Sequence, residues 1–408
     1  MKDSGSENKE SINASLIYST VLSCSGSWLF GLNMTSLDSL SEVFKNGSES
    51  IEDGLFKSHV KVTDSEWSII VSIICIGALT SNFLVNLIPL SRKNILILNN
   101  ILYLSGFSMI FCVQNIFYLI LGRFLIGMGA GVACAVVPLY LGEISPDKIR
   151  GLISSAHQFF IIFGVLGGQI LSFLFSTVHT WRITISILIA ISILSFIFLF
   201  FIQNPVMKNS AEENVSIAQL FAEKKARKSL FLSTIIHMGQ QLTGINGVLF
   251  FSNEILAATG KARLYTISIG LVSLASTTVS MFTVDMFGRK IMLLLSCLVV
   301  STGLSILGSG HVPVISLFIF ISGFAIGLGP VAWFVTSEVY PSEYKSAGNA
   351  IAVSSNWMSS FFVALTFPFF YTWIGNFVFF IYATIIMTLF LLLLVMFKET
   401  KGKKADFQ

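Results

Sequence analysis

Long apolar stretches alternate with short polar segments along most of the chain. A helix that crosses a lipid bilayer needs about 20 apolar residues. Because no water is available inside the bilayer, each crossing segment must satisfy its own backbone hydrogen bonds, which a helix does. The pattern therefore predicts twelve membrane spans. They run near 15–36, 67–90, 94–113, 117–142, 150–176, 181–203, 229–257, 264–286, 289–309, 313–336, 346–370 and 373–397.

The composition supports a membrane protein. Of 408 residues, 54% are hydrophobic and only 11% are charged, whereas a soluble protein has about 25% charged residues. A water-soluble enzyme, a nucleic-acid-binding protein and a disordered chain are therefore disfavoured, and the expected environment is the lipid bilayer. The five cysteines lie in apolar runs without metal-ligand spacing, so neither a metal nor a cofactor is predicted.

Lysine and arginine indicate which side each loop faces. If both termini are cytosolic, 18 of the 25 basic residues lie inside, as the positive-inside rule requires. Residues 1–13 do not have the pattern of a cleaved signal peptide. The predicted outer loop, 38–66, contains the sequon that starts at Asn46, which could accept a glycan.

Two charged motifs recur at nearly the same distance along the chain. The Arg-Lys pair at 92–93 recurs at 289–290, and Glu143 with Arg150 recurs as Glu338 with Lys345, at offsets of 197 and 195 residues. The repeat predicts two six-helix halves, the usual organisation of secondary transporters. The predicted domains are a cytosolic tail (1–14), a first bundle (15–203), a cytosolic linker (204–228), a second bundle (229–397) and a cytosolic tail (398–408).

The same charges are expected at the inner ends of the helices. Opposite charges there would form salt bridges that close the inner side while the outer side is open, and a few kcal/mol would bias such an equilibrium. The predicted gating residues are Arg92, Lys93, Glu143, Arg150, Arg289, Lys290, Glu338 and Lys345.

Uncharged polar side chains lie deep in several spans. A buried amide is costly without a hydrogen-bond partner, and amides beside an indole ring suit a neutral polyhydroxylated ligand. Hydrogen bonding between helices is the alternative for any one of them. The predicted substrate-binding residues are Gln158, Gln169, Gln240, Gln241, Asn246, Trp333, Asn356, Trp357 and Asn33.

Carboxylates are missing from the middle of the predicted spans, and the polar residue of the first span is Asn33. A proton-driven carrier needs a group that titrates inside the membrane, typically a carboxylate. The sequence therefore favours downhill, uncoupled transport.

An ordered series of motifs resembles the sugar porter branch of the major facilitator superfamily, from about residue 15 to 402. The motifs include Phe30-Gly31, Arg123 to Gly131, Gln158 to Gln169, Gln240 to Asn246, Gly329 to Trp333, Asn356-Trp357 and Glu399 to Gly402. The resemblance implies an all-α membrane protein with twelve transmembrane helices in two pseudo-symmetric six-helix bundles, the major facilitator fold.

The resemblance also implies a function. It predicts facilitative uptake of a hexose, most simply glucose, by alternating access in the plasma membrane, with no enzyme activity. The implied sugar contacts are Gln158, Gln240, Gln241, Asn246 and Trp333, and a monomer is the expected state. Some family positions differ, including Ala325 in place of a carboxylate and Ser360 in place of an amide.

Two alternatives stay open at this point. One is a proton–sugar symporter in which another group, such as His157, carries the proton. The other is a sugar sensor that binds without transporting, although the short central loop and tail disfavour it.

Overall fold

A computed structural model describes most of the chain. The described residues are 14–36, 40–46, 51–53, 56–58, 60–85, 88, 90–175, 177, 179–202, 215–250, 255–256 and 260–408.

Helices account for nearly all of this structure. The first half contains α1 (Ala14–Ser23), α2 (Ser25–Ser36), α3 (Leu40–Asn46), α4 (Asp64–Val85), α5 (Arg92–Phe111), α6 (Ile116–Ile144), α7 (Arg150–Phe175) and α8 (Trp181–Leu199). The second half contains α9 (Ile217–Ala222), α10 (Ala226–Leu242), α11 (Ile245–Phe250), α12 (Ala262–Phe287), α13 (Arg289–Gly308), α14 (Pro313–Ile326), α15 (Leu328–Glu338), α16 (Lys345–Ile374) and α17 (Val378–Met396).

Each predicted span corresponds to one helix or a broken pair of helices. Span one is α1 with α2, span seven is α10 with α11, and span ten is α14 with α15. Ten segments of the described chain are long and apolar enough to cross a bilayer. Spans one and seven fall below that length because each is interrupted, at Cys24 and at Thr243-Gly244. Span twelve begins five residues later than predicted, since Gly375 turns the chain at a φ of 55°.

The two halves repeat one packing pattern. In the first half, span one packs on span five, spans two and three pack on span four, and span three packs on span six. The second half has the same pairs with each number raised by six: seven with eleven, eight and nine with ten, and nine with twelve. Close approach in the first half depends on glycine. A Cβ on Gly127 or Gly131 would overlap backbone atoms of Ile74 or Ala78 in span two.

The halves meet through spans five and eight, spans two and eleven, and the second part of span ten against spans four and five. Hydrogen bonds cross this interface. Asn82 Nδ2 donates to Ala350 O over 2.9 Å, and Asn349 Nδ2 donates to Ala135 O over 3.1 Å. Large apolar side chains such as Val395 (83% exposed) and Trp373 (78%) face outward, as expected for a surface in contact with lipid.

The long loop after span one holds α3 and a small antiparallel hairpin of β1 (Ile51–Asp53) and β2 (Phe56–Ser58), with Ile51 opposite Ser58. The sequon asparagine, Asn46, is the last residue of α3.

In the central linker, residues 203–214 lie outside the described part of the chain. The remainder includes α9, where Ser216 and Gln219 form a capping box. The predicted domain boundaries stay a prediction.

Candidate functional site

A cleft lies between the two halves. Its two walls differ in chemistry. The first half contributes mainly apolar side chains from spans one, two and five: Phe30, Met34, Ile74, Ile161, Ile162 and Val165. The second half contributes the apolar side chains Ile245, Leu249 and Phe324 and most of the polar and indole groups. These polar and indole groups come from spans seven, ten and eleven: Gln240, Gln241, Asn246, Trp333, Asn356, Trp357 and Ser360.

The break in span seven positions the amides of that span. Gly244 has a φ of 80°, a conformation that glycine adopts without steric cost. Next to it, Thr243 Oγ1 donates to Gln240 O over 2.7 Å and accepts from the Ile245 N–H over 3.2 Å. The turn brings Asn246 back to Gln241, where Asn246 Nδ2 donates to Gln241 Oε1 over 2.9 Å.

Gln240 ties span seven to the break in span ten. Its Nε2 donates to Leu328 O over 3.1 Å and to Gly329 O over 2.8 Å. Its Oε1 accepts from Asn356 Nδ2 over 2.7 Å. Because these contacts join three spans, Gln240 stabilises the wall of the cleft as well as lining it.

The remaining amides of the second half hold one another in fixed orientations. Gln241 Nε2 donates to Asn356 Oδ1 over 3.0 Å, and Asn246 Nδ2 donates to Ser360 Oγ over 2.7 Å. Asn246 Oδ1 has no partner among the described residues. A preorganised polar wall with a spare acceptor suits a ligand that has hydroxyl groups.

Trp333 connects the polar wall to the first half. Its Nε1 donates to Gln158 Oε1 over 2.9 Å. The rings of His157 and His237 meet the indole edge-on, with centroids 5.2 Å and 5.6 Å away. Among the described residues, Gln158 Nε2 has no partner and the buried Trp357 Nε1 is also unsatisfied. Gln158 lines the cleft, so its Nε2 is available to a ligand, whereas the Trp357 indole N–H is enclosed by protein atoms.

Seven of the nine predicted substrate-binding residues line the cleft, and two do not. Gln169 lies about 16 Å further along span five at the helical rise of 1.5 Å per residue, with its Oε1 against Gly270 of span eight. Asn33 turns toward span four and accepts from Arg123 Nη1 over 3.2 Å. The structure therefore does not bring these two residues into the cleft with the other seven, because helical periodicity gives the face of a residue but neither its depth nor its neighbour.

Residues missed as site residues from sequence also line the cleft: Arg123, Cys75 and Ser360. Arg123 is 3% exposed and also donates to Ile70 O over 3.3 Å. A cation inside an apolar span was the signal that could have identified it. Cys75 Sγ is 3.6 Å from Ser360 Oγ, so this contact also joins the two halves.

At the end of the bundle that carries the charged motifs, carboxylate–guanidinium pairs form within each half. Arg289 contacts Glu338 (2.7 Å) and Asp285 (2.8 Å), and Arg92 contacts Glu143 (3.3 Å). These ion pairs lie within one half each, and the gating role expected for these residues stays a prediction. Lys345 interacts electrostatically with Glu143 and Arg150 of the other half.

The two lysines of the repeated Arg-Lys pairs have equivalent contacts that are not carboxylates. Lys93 Nζ donates to Phe200 O over 2.6 Å at the end of span six, and Lys290 Nζ donates to Leu394 O over 2.9 Å at the end of span twelve. A cation is favourable at a helix C-terminus. Both lysines therefore cap helices rather than form the predicted salt bridges.

Asp285, which was not predicted as a gating residue, joins the halves at this end. Its Oδ2 accepts from the Leu152 N–H over 2.9 Å, at the start of span five, where a negative charge is favourable. The equivalent position in the first half is Ile88, which has no carboxylate to cap span eleven.

Glu399 lies in the segment after span twelve and organises the loop between spans eight and nine. It accepts from the backbone N–H groups of Arg289, Lys290, Thr400 and Lys401 at 2.8–2.9 Å. Burial would raise the pKa of this carboxyl, but the four donors together lower its pKa below the ordinary 4.5.

Comparison with known proteins agrees with this architecture. The family model described as "Sugar (and other) transporter" matches residues 19–207 and 202–406. The facilitated glucose transporter member 4 of Homo sapiens is 26% identical over 99% of this chain and 92% of its own length. Member 2 of Sus scrofa is 30% identical over 84% of this chain and 77% of its own length.

Solved structures share the fold. The proton:xylose symporter XylE bound to 6-bromo-6-deoxy-D-glucose superposes with a TM-score of 0.79 at 22% identity, covering 96% of this chain and 98% of that chain. The E. coli fucose:proton symporter gives 0.71 at 15% identity, covering 94% and 100%. The chain therefore belongs to the family described as "Sugar (and other) transporter", and it shares the fold of these symporters.

Proposed function

We propose that the chain carries a hexose, glucose first, down its concentration gradient by alternating access. The observation that carries this proposal is the cleft between the halves, where a preorganised wall of uncharged amides faces apolar side chains. A sugar ring presents hydroxyls at its rim and C–H groups on its faces, so it matches both walls. The names of the curated relatives, which are facilitated glucose transporters, support the same substrate class.

The absence of proton coupling is proposed from the charges around the cleft. Among the described residues that line it there is no Asp or Glu. Asn33 stands beside the buried Arg123, in a place where a carboxylate could exchange a proton and an amide cannot. The direction of net transport would then depend on the sugar gradient alone.

A proton–sugar symporter is the second candidate. His157 favours it, because its ring contacts Trp333 and its Nε2 has no hydrogen-bond partner in the described structure. Its Nδ1 lies 2.7 Å from Ser27 Oγ, a contact that equally suits a neutral structural histidine.

The two candidates differ in what a proton gradient does. Purified protein in proteoliposomes should take up labelled D-glucose to equal concentrations inside and outside, at the same initial rate with or without an imposed pH gradient. L-Glucose is the matched control for leakage. Accumulation of D-glucose above the external concentration under the gradient would overturn uncoupled transport and support the symporter.

The membrane arrangement is proposed from the basic loops and the family. The plasma membrane is the expected location, with both termini in the cytosol, a glycan on Asn46 and a monomer as the working unit. The predicted bundles, 15–203 and 229–397, would move as the two rigid bodies. Glycosidase treatment should lower the apparent mass of the wild type but not of Asn46→Gln, while both reach the cell surface. This result would place the loop that contains Asn46 outside the cytosol.

A further inference from the structure

Two basic segments that are far apart in sequence meet at one end of the second half. One segment begins span seven and contains Lys224, Lys225, Arg227 and Lys228. The other follows span twelve and contains Lys398, Lys403 and Lys404. None of these seven side chains forms a hydrogen bond or ion pair with another described residue, and all but the half-buried Lys228 are exposed.

A fold-back of the segment after span twelve brings these two groups together. The Lys398 N–H donates to Gln408 Oε1 over 3.0 Å, and the Gln408 N–H donates to Ser229 Oγ over 2.8 Å. The ring of Phe407 anchors the fold-back against Tyr344, with centroids 5.1 Å apart. Gln408 therefore links Lys398 to Ser229, the residue that directly follows Lys228.

Apolar surface lies beside these cations. Spans seven and twelve pack on each other, and a Cβ on Gly239 would overlap the side chain of Leu389. Close to the basic residues on the same two spans, Phe231 (43%), Leu394 (46%) and Val395 (83%) are exposed. Cations without partners next to exposed apolar side chains match a molecule with an anionic head and hydrocarbon chains.

We propose that Arg227, Lys228 and Lys398 bind the headgroup of an anionic phospholipid at the foot of spans seven and twelve. Basic residues next to a membrane span attract anionic lipid, each contributing about 1 kcal/mol, which corresponds to about five-fold in affinity. The lipid would also stabilise the fold-back, because its site includes residues on both sides of the Gln408 bridge.

The test uses the purified full chain in neutral detergent with added phosphatidylglycerol, phosphatidylcholine or inorganic phosphate. Native mass spectrometry measures the bound fraction, and thermal unfolding measures the increase in Tm. We expect phosphatidylglycerol to bind and raise Tm, phosphatidylcholine to do so much less, and phosphate alone to have no effect.

The variants separate this site from general attraction to basic protein. Lys398→Gln should weaken phosphatidylglycerol binding about five-fold, and adding Arg227→Gln and Lys228→Gln should abolish the increase in Tm. Lys61→Gln, an exposed lysine outside this cluster, is the matched control and should bind as the wild type does. Three results would overturn the proposal. They are a loss of phosphatidylglycerol binding in Lys61→Gln as large as that in Lys398→Gln, binding of this lipid by the triple variant as strong as by the wild type, and a rise in Tm with phosphate alone as large as that with the lipid. Tm without added lipid reports whether each variant is folded.

Discussion

Gln158 is the residue of the first half best placed to recognise the ligand. Its Oε1 is held by Trp333, which leaves its Nε2 toward the cleft. Gln158→Leu should raise KM for D-glucose about five-fold, since the one hydrogen bond lost to the sugar is worth about 1 kcal/mol. Uptake by proteoliposomes measures this.

The matched control for that change is Gln169→Leu in the same span. Gln169 is buried but does not line the cleft. Its substitution should leave KM unchanged, and an equal rise in both variants would mean that loss of an amide disturbs span five as a whole.

The lowered pKa of the Glu399 carboxyl predicts how the stability of the folded protein depends on pH. Because its pKa is lowered in the folded protein, its stabilising effect is complete above the ordinary pKa of 4.5 and is lost as pH falls through the folded value. Glu399→Gln should lower Tm at neutral pH, and the difference from wild type should shrink in acid. A difference in Tm that stays constant across this range would show that the carboxylate charge is not responsible.

The chemistry of the site could be predicted from sequence better than its geometry. Buried amides such as Gln241 and Asn246 are identifiable because isolated amides are costly in hydrocarbon. The turn of Asn33 toward Arg123 could not be predicted, because it depends on how spans one and four are rotated against each other. Cys75 was missed because its residue type predicts an inert core side chain as readily as a cleft contact.

At the scale of elements, the crossing of spans one and five depends on two glycines. A Cβ on Gly31 would overlap Ile161 O, and a Cβ on Gly164 would overlap Trp28 O. Gly164→Ala must therefore separate two helix backbones, and overpacking of this kind costs about 1–3 kcal/mol. We expect a lower Tm and a lower yield of folded protein.

Gly142→Ala provides the comparison, because the nearest atom to its new methyl would be Ser337 Oγ at 3.8 Å. Alanine is the better helix former, so Tm should stay level or rise. Equal destabilisation by both alanines would contradict the close-crossing argument.

Helix positions followed from the hydrophobic pattern because span length is set by the bilayer. The breaks within spans one, seven and ten could not be predicted from this pattern, since apolar residues continue through them. Gly244 and Gly327 are ordinary glycines in the sequence. In the structure Gly244 has a positive φ and packs beside Tyr382 of span twelve, and Gly327 lies against Met292 of span nine. Hydropathy also does not encode the backbone turns that end a span, such as the turn at Gly375 after span eleven.

At the scale of the whole molecule, Asp285 holds the two halves together at the charged end. Replacing the carboxylate by an amide in Asp285→Asn weakens its bond to the Leu152 N–H by about 1 kcal/mol, so that end should be open about five-fold more often. The measurement is the labelling rate of Ser337→Cys, a residue that is 9% exposed and faces the other half.

Asp406→Asn removes an exposed charge from the same end and should leave that labelling rate unchanged. If both variants increase it equally, net charge and not the helix cap controls the opening. If neither does, the hydrogen bond of Asp285 is not part of the closure.

The central claim is that the sugar binds in the cleft between the halves, and Cys75 reports on that cleft directly. Cys75 lines it, whereas the other four cysteines do not. The measurement is the rate at which a small maleimide labels Cys75 with and without D-glucose, with L-glucose as the control. The account predicts that D-glucose slows labelling and L-glucose does not. An unchanged rate at a D-glucose concentration that saturates transport would contradict it.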